Sequence, residues 1–352
     1  MTNIKKKIFS VPLHPYMTDE EFDLVFLPFL KEHKDYIYDI YFTSRIEPYK
    51  RDAMGASDVI DSKSLDQVLR IKEETNINIS ATYNNFLVYC DESNLKMFIN
   101  NFKPLYEKGV NSITISCDSW VNELKKEFPN LLIKNTVLKK IQTSNEFIVA
   151  AKRGFDYVNI DRLLLRNEDE LKKIKKAQLK FQEKTGKYVY TAILANEGCR
   201  GNCPTMMMHY TINNSSASGK PGTNKAYFQQ KISQFTCPAW RSMDPAYPLK
   251  IANIPPFKED FLRLLDNIDI IKMHGREGLA LLNDTIAFIT SFVKDFDELH
   301  DISVRNFILE KDIEQQKIDM WRKHIRNCKF ECWDCKYCDE LVQSARNNEL
   351  SF

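Results

Sequence analysis

The sequence predicts an eight-stranded β/α barrel. Three observations predict it. Eight short β-branched segments alternate with segments of helical period along most of the chain. No glycine-rich phosphate-binding turn follows the first strand, which removes the main support for a doubly wound nucleotide fold. A single long insertion interrupts the alternation before the last strand, and barrels carry function in such loops.

The strand segments fall at 7–13, 37–43, 78–83, 112–117, 131–136, 156–161, 188–194 and 268–273. Amphipathic helices are expected at 19–33, 64–74, 94–108, 120–128, 145–153 and 168–184, with a last barrel helix at 278–293. This assigns 1–293 to a TIM-like barrel and 196–267 to an insertion between strands seven and eight. Residues 294–352 form a helical tail with a cysteine-rich motif. Within the insertion, NNSSASGKPGT at 213–223 reads as a flexible stretch. In the tail, 309–326 reads as a helix with Met320 and Trp321 near its end, and the chain closes on a polar terminus.

A length of 352 residues suits two ordinary domains or one large barrel. With 43% hydrophobic residues the chain can build a core, so global disorder is excluded. Fifty basic against 48 acidic residues leave a net charge of +2. No overall basic field follows, which argues against tight non-specific binding of nucleic acid. No apolar run approaches a membrane span. The start, MTNIKKKIFSVPLHPY, lacks the apolar region of a secretory signal, so a cytoplasmic location is expected.

In a barrel the C-terminal strand ends build the site. They carry His14, Arg45, Thr82, Asn84, Asn85, Asp118, Asn135, Asn159, Asp161, Asn196 and Glu197. An Asn or Asp in such a place is most often a turn former or helix cap. The last strand, IIKMHGR, departs from that pattern. Alternation puts Lys272, His274 and Arg276 on one face. Three cationic groups together call for an anion: Glu197, Asp161, a ligand or a metal cluster. The bland reading is an ion-pair belt at the mouth.

Nine cysteines are many for a cytoplasmic chain. Cys199 and Cys203 stand in NEGCRGNCP directly after strand seven, and Cys237 in FTCPAW lies in the same insertion. Two of the three precede proline, as cluster ligands often do. An iron–sulfur centre is the leading reading. A zinc site completed by His209 and a set of free thiols are the alternatives. The tail carries Cys328, Cys332, Cys335 and Cys338 as C-x3-C-x2-C-x2-C. Four thiols so close are a strong metal signal, with [4Fe-4S] preferred and zinc as the alternative. Disulfides are the weaker reading in a cytoplasmic chain. Radical-SAM chemistry is disfavoured, because the motif follows the barrel and Asp334 precedes the third cysteine. Cys90 and Cys117 read as core or site-lining thiols.

At NEGCRGNCP…MMMHY, and again at FKEDFLRLLDNIDIIKMHGR, the chain resembles the peptidase U32 family. The second match rests on Ile268, Asp269, Lys272, Gly275 and Arg276, and the specific likeness spans 193–276. The resemblance implies a [4Fe-4S] cluster bound by four cysteines and oxygen-independent hydroxylation of ubiquinone precursors or RNA bases. It maps onto Cys199, Cys203 and Cys237, leaving the fourth ligand to Cys117, Cys90, a tail cysteine or none. The tail motif is not part of the family pattern, which implies a divergent branch.

Three functions follow. The first is an iron–sulfur redox enzyme acting on a small molecule or nucleic-acid base that carries an anionic group. Glu197, Lys272, His274 and Arg276 would line its site, and the second cysteine set would relay electrons from an unidentified donor. The second is a zinc-stabilised hydrolase or lyase, a U32-type peptidase included, with Glu197 or Asp161 as general base. The third is a non-catalytic metal-binding subunit of a homo- or hetero-dimer. A protease has little support, because HExxH, GxSxG and an evident Cys–His pair are all missing.

Overall fold

The computed structural model describes residues 7–49, 58–195, 199, 201–203, 206–207, 242–253, 257–274, 279–294 and 313–349. Its strands are β1 (Phe9–Pro12), β2 (Ile37–Thr43), β3 (Asn78–Tyr83), β4 (Ser112–Ile115), β5 (Leu132–Asn135), β6 (Tyr157–Ile160), β7 (Tyr190–Ala195) and β8 (Ile270–Met273). They close into a barrel in chain order, every neighbouring pair parallel, with β8 returning to β1. The chain is therefore a (β/α)8 TIM barrel. No described helix is long and apolar enough to cross a membrane.

The outward positions are apolar. Ile40, Phe42, Ile79, Ala81, Ile113, Ile115, Ile133, Val158, Ile193 and Ile271 all join one buried cluster with the helix faces. The helices are fixed by their ends. Thr18 with Glu21, and Thr143 with Glu146, form capping boxes, each satisfying two backbone donors. Gly186, at φ +73°, ends the helix Glu168–Thr185 in the left-handed region that a side chain disfavours.

The lumen is polar, whereas barrel interiors are usually filled by branched apolar side chains. Asp39 on β2 meets Lys134 on β5; these strands are not neighbours, so the ion pair crosses the lumen. Ser10 donates to Asp39 at 2.5 Å, and the Lys134 ammonium lies 4.7 Å from the centre of the Tyr157 ring. One layer nearer the C-terminal ends, Lys272 on β8 reaches across to the Tyr41 ring at 4.2 Å.

Between β5 and β6 the backbone registers at a single pair, Lys134 with Tyr157. Side-chain amides continue the ladder. Asn135 Nδ2 donates to the Asn159 carbonyl at 3.0 Å, Asn159 Nδ2 donates to the Asn135 carbonyl at 2.5 Å, and Asn159 N donates to Asn135 Oδ1 at 2.6 Å.

A helix runs over Tyr337–Glu349 and takes in most of the polar terminus. Cys338, Leu341 and Val342 at i, i+3 and i+4 give it an apolar stripe, which closes on Trp321 and Ile325 of the helix Gln315–Ile325. Tyr247, Leu249 and Ile251 of the insertion complete this second core. The tail is tied to the barrel where β6 ends. Glu168 N donates to the Arg326 carbonyl at 2.9 Å, and Arg322 pairs with Asp260 at 2.5 Å and Glu259 at 3.0 Å.

Candidate metal centre and barrel mouth

The chain leaves β6 through a tight helical turn, Arg162–Arg166. Asp161 caps that turn, accepting from Leu163 N at 2.9 Å and from Gln142 Nε2 at 3.0 Å. Its carboxylate is thus engaged in holding the turn, which counts against Asp161 as a general base. The turn aims two arginines at the later segments. Arg162 Nη2 lies 3.2 Å from Met206 Sδ in the insertion. Arg166 Nη1 donates to the Leu249 carbonyl at 2.8 Å, and its guanidinium stands 6.0 Å from the Trp321 ring and 5.4 Å from the Phe330 ring.

Arg166 and Lys250 line a cavity of about 190 Å³ together with Cys328, Cys332, Cys335 and Cys338. All four tail cysteines therefore face one space. Each is half-buried and outside any disulfide. Cys338 approaches the Leu249 carbonyl at 3.6 Å, and Cys335 lies 3.4 Å from Nε2 of His324, whose ring stacks on Tyr337. Burial pushes the Cys338 thiol up to about 11; the Arg166 charge opposes this, and the neighbouring Cys328 and Cys332 add to it. Burial also disfavours the Lys250 ammonium, but the hydrogen bonds it donates to Asp339 at 2.7 Å and Asp244 at 3.1 Å hold its pKa above the ordinary value.

The donor set fits a metal–thiolate centre. Four soft ligands share a cavity whose wall includes a buried cation, as suits a centre with net negative charge. Among the described residues no three His, Cys, Asp or Glu side chains already stand at metal-ligand spacing. Binding would draw the four thiols inward and release their protons.

The loop of Cys199 and Cys203 lies beside this cavity. Ala252 N donates to the Cys199 carbonyl at 2.9 Å, and Gly201 N donates to the Lys250 carbonyl at 3.3 Å. Asn202 Nδ2 reaches the Lys329 carbonyl at 3.5 Å. The short segment 249–252 thus touches both cysteine groups, holding the Cys199 backbone on one side and Cys338 on the other. Cys237, Glu197, Arg276 and His209 lie outside the described residues.

Of the strand-eight cations, Lys272 points into the lumen against Tyr41, whose hydroxyl donates to the Met273 carbonyl at 2.5 Å. His274 follows the strand and is half-buried; its carbonyl accepts from Thr285 Oγ1 at 3.0 Å. His14 is buried, with Nδ1 accepting from Tyr16 N at 3.2 Å. Asn135 and Asn159 are structural, as described above. Asp118 pairs with Arg153 at 2.7 Å and Lys139 at 3.2 Å on the rim.

One expectation is corrected. Cys90 and Cys117 are not separate thiols but a disulfide, with their Cα atoms 5.4 Å apart. The loop after β3 folds back over the end of β4 and brings them together. Neither can then be the fourth ligand of an insertion cluster. Asp269 is a stability residue. It accepts from Thr191 N at 3.0 Å, Tyr188 Oη at 2.6 Å and Gln178 Nε2 at 2.5 Å at the N-terminal end of the barrel, away from the catalytic face. Arg162, Arg166 and Lys250 escaped the sequence reading. Their signal was weak: two arginines flanking three leucines in RLLLR, and a lysine within an apolar run.

No family model matches the sequence, and no curated protein matches it. Solved structures similar to this chain include a U32 peptidase, with 10% identity and a TM-score of 0.49 over 78% of this chain and 94% of that one. A thiamine phosphate pyrophosphorylase from Pyrococcus furiosus has 9% identity and a TM-score of 0.37, covering 87% and 96%. An oxaloacetate acetylhydrolase has 7% identity and a TM-score of 0.39, covering 84% of each chain. None of these likenesses carries an argument about chemistry.

Proposed function

We propose that the chain is an iron–sulfur-dependent modification enzyme of U32 type. It would carry out oxygen-independent hydroxylation or related redox chemistry on a small molecule or nucleic-acid base bearing an anionic group. One observation supports this reading above others. The segment 249–252 bonds the Cys199 backbone through Ala252 and approaches the Cys338 thiol through the Leu249 carbonyl, beside the turn that follows β6. Cys199, Cys203 and Cys237 would hold a [4Fe-4S] cluster over the mouth. Such a cluster supplies one-electron transfer and, through an open iron, a coordination site for a substrate or oxygen donor.

The chain's own residues do the rest. Lys272, fixed against Tyr41, presents a cation inside the lumen and would hold the anionic group. Tyr41 positions that cation by bonding the Met273 carbonyl of the same strand. Arg276, two residues after His274 in sequence, would add a second cation for the same group. The polar lumen wall, with Ser10, Thr82, Thr114 and Asn159 buried, favours a hydrophilic ligand over an apolar one. In the zinc hydrolase reading Asp161 is the poorer of the two candidate bases, because its carboxylate already caps a turn and accepts from Gln142.

The test is anaerobic purification with iron, sulfide and zinc counted per chain, followed by the same count on Cys199→Ala. A share of iron lost with Cys199, together with absorption near about 400 nm, supports the reading. Zinc alone, or no metal, rejects it.

A further inference from the structure

Arg166 presents an unusual electrostatic problem. It belongs to the barrel, yet it lies near two aromatic rings of the tail, Trp321 and Phe330, and is only 1% exposed. Among the described residues no carboxylate pairs with it. Its one described polar bond is to the neutral Leu249 carbonyl, and its buried Nε has no partner. Leaving a buried charge uncompensated costs several kcal/mol. By contrast, Lys250 in the same cavity wall is held by two carboxylates, Asp244 and Asp339. What faces Arg166 is a space lined by Cys328, Cys332, Cys335 and Cys338, with His324, Lys329 and Glu331 also in its wall.

We infer that Arg166 is the counter-ion and N–H donor of a [4Fe-4S] cluster held by those four tail cysteines, so that a barrel residue tunes a centre built by the tail. The inference deepens the iron–sulfur reading and rests on it. Neutral thiols cannot compensate a guanidinium. Four thiolates around a metal centre leave a net negative charge and can. Three of the spacings are only two or three residues long, as in the cysteine runs of cluster proteins. The Trp321 and Phe330 rings, 6.0 Å and 5.4 Å from the guanidinium, and the bond to the Leu249 carbonyl hold Arg166 at the cavity wall, so little further entropy would be lost in donating to cluster sulfurs. Hydrogen bonds and positive charge at cluster sulfurs favour the reduced, more negative state and raise the potential.

The experiment uses the full chain carrying Cys199→Ala and Cys203→Ala, so that the remaining iron belongs to the tail. Arg166→Gln and Arg166→Lys are added to this background. Iron and sulfide are counted after anaerobic reconstitution, the midpoint potential is read by the EPR of the dithionite-reduced cluster, and retention is measured by chelator competition. Arg166→Gln is expected to weaken retention about ten-fold or more and to shift the potential negative. Arg166→Lys, which keeps the charge but loses the fork, is expected to fall between. If Arg166→Gln does not fold, the shift in Arg166→Lys decides. Unchanged retention and potential in the folded variants overturn the inference, as does a parent chain that takes up zinc alone. Failure of the insertion reading looks different: Cys199→Ala would then cost the wild-type chain no iron, while the tail centre would still respond to Arg166.

Discussion

The Phe330 ring of the tail occupies the space a β-carbon on residue 201 would need, so Gly201 is the only residue that lets the tail lie on the insertion loop. The contact is framed by the bonds from Gly201 N to the Lys250 carbonyl at 3.3 Å and from Asn202 Nδ2 to the Lys329 carbonyl at 3.5 Å. The glycine stands inside the C-x3-C spacer. The loop that presents Cys199 and Cys203 is therefore shaped by the same contact that docks the four-cysteine motif.

Gly201→Ala should destabilise the tail by roughly 1–3 kcal/mol, the usual cost of overpacking. Thermal melts and limited proteolysis between barrel and tail would report it. Trimming the ring in the double variant Gly201→Ala with Phe330→Leu should restore part of the loss. Equal proteolysis rates for wild type and Gly201→Ala would mean that the tail does not rest there.

The buried pair Asp39–Lys134 gives a second expectation. Burial pushes the Lys134 ammonium down, and the Asp39 charge opposes that. Removing one partner strands the other charge in the lumen. Lys134→Met should cost about 3–5 kcal/mol, and Lys134→Met with Asp39→Asn should recover much of it. Urea unfolding of the three variants measures both. Full additivity of the two single changes would show that the charges are not coupled.

The barrel was legible because its strands are short runs of β-branched residues, and their outward positions alone must be apolar. The strands at 37–43 and 78–83 match their observed bounds, while most of the others shorten by a residue or two at their ends. Roles at the strand ends were less legible. Asn135 and Asn159 look like site residues in sequence, but only pairing of β5 with β6 reveals that their amides replace a backbone ladder. The Cys90–Cys117 disulfide was hidden because 27 residues separate the two cysteines. The helix at Tyr337–Glu349 was hidden because its apolar stripe begins at a cysteine already assigned to metal binding. Arg166 was invisible for a different reason. Its significance comes from the tail folding around it, a contact that no local pattern encodes.

Asp269 gives a pH expectation. Burial raises its carboxyl, but hydrogen bonds from Thr191 N and Tyr188, the charge of Lys175 and a bond from Gln178 outweigh this and hold it below the ordinary value. A carboxyl whose pKa is lowered by folding contributes stability above its unfolded pKa and loses it as pH falls through the folded one. Stability should therefore be level at neutral pH and decline below about pH 4. Asp269→Asn should be less stable at pH 7 by about 1–3 kcal/mol, because its amide N–H₂ opposes the surrounding donors. It should also show a flatter acid limb. Melts at pH 7 and pH 3 check both, and parallel pH profiles would sink the assignment.

The last expectation concerns the mouth. Lys272 is half-buried, faces the lumen and lies 4.2 Å from the centre of the Tyr41 ring. Lys272→Met keeps the stem and its packing on Tyr41 but removes the charge. If the cation holds an anionic group, phosphate and a nucleoside monophosphate used as probes should bind about ten-fold or more weakly. That is the scale of a charge-assisted hydrogen bond of roughly 1.5–3 kcal/mol. Iron content should not change, because Lys272 belongs to the lumen and the cysteines to the rim. Tyr41→Phe separates charge from position. It retains the ring under the ammonium but loses the bond to the Met273 carbonyl, so it should loosen β8 and weaken binding less than Lys272→Met does. Arg276→Lys, keeping the charge but losing the fork, tests whether the next cation along the chain shares the load. Weakened probe binding with full iron supports recognition of an anionic group at the mouth. Loss of iron or of folded protein in Lys272→Met would instead make the lysine a structural member of the lumen, like Lys134 below it.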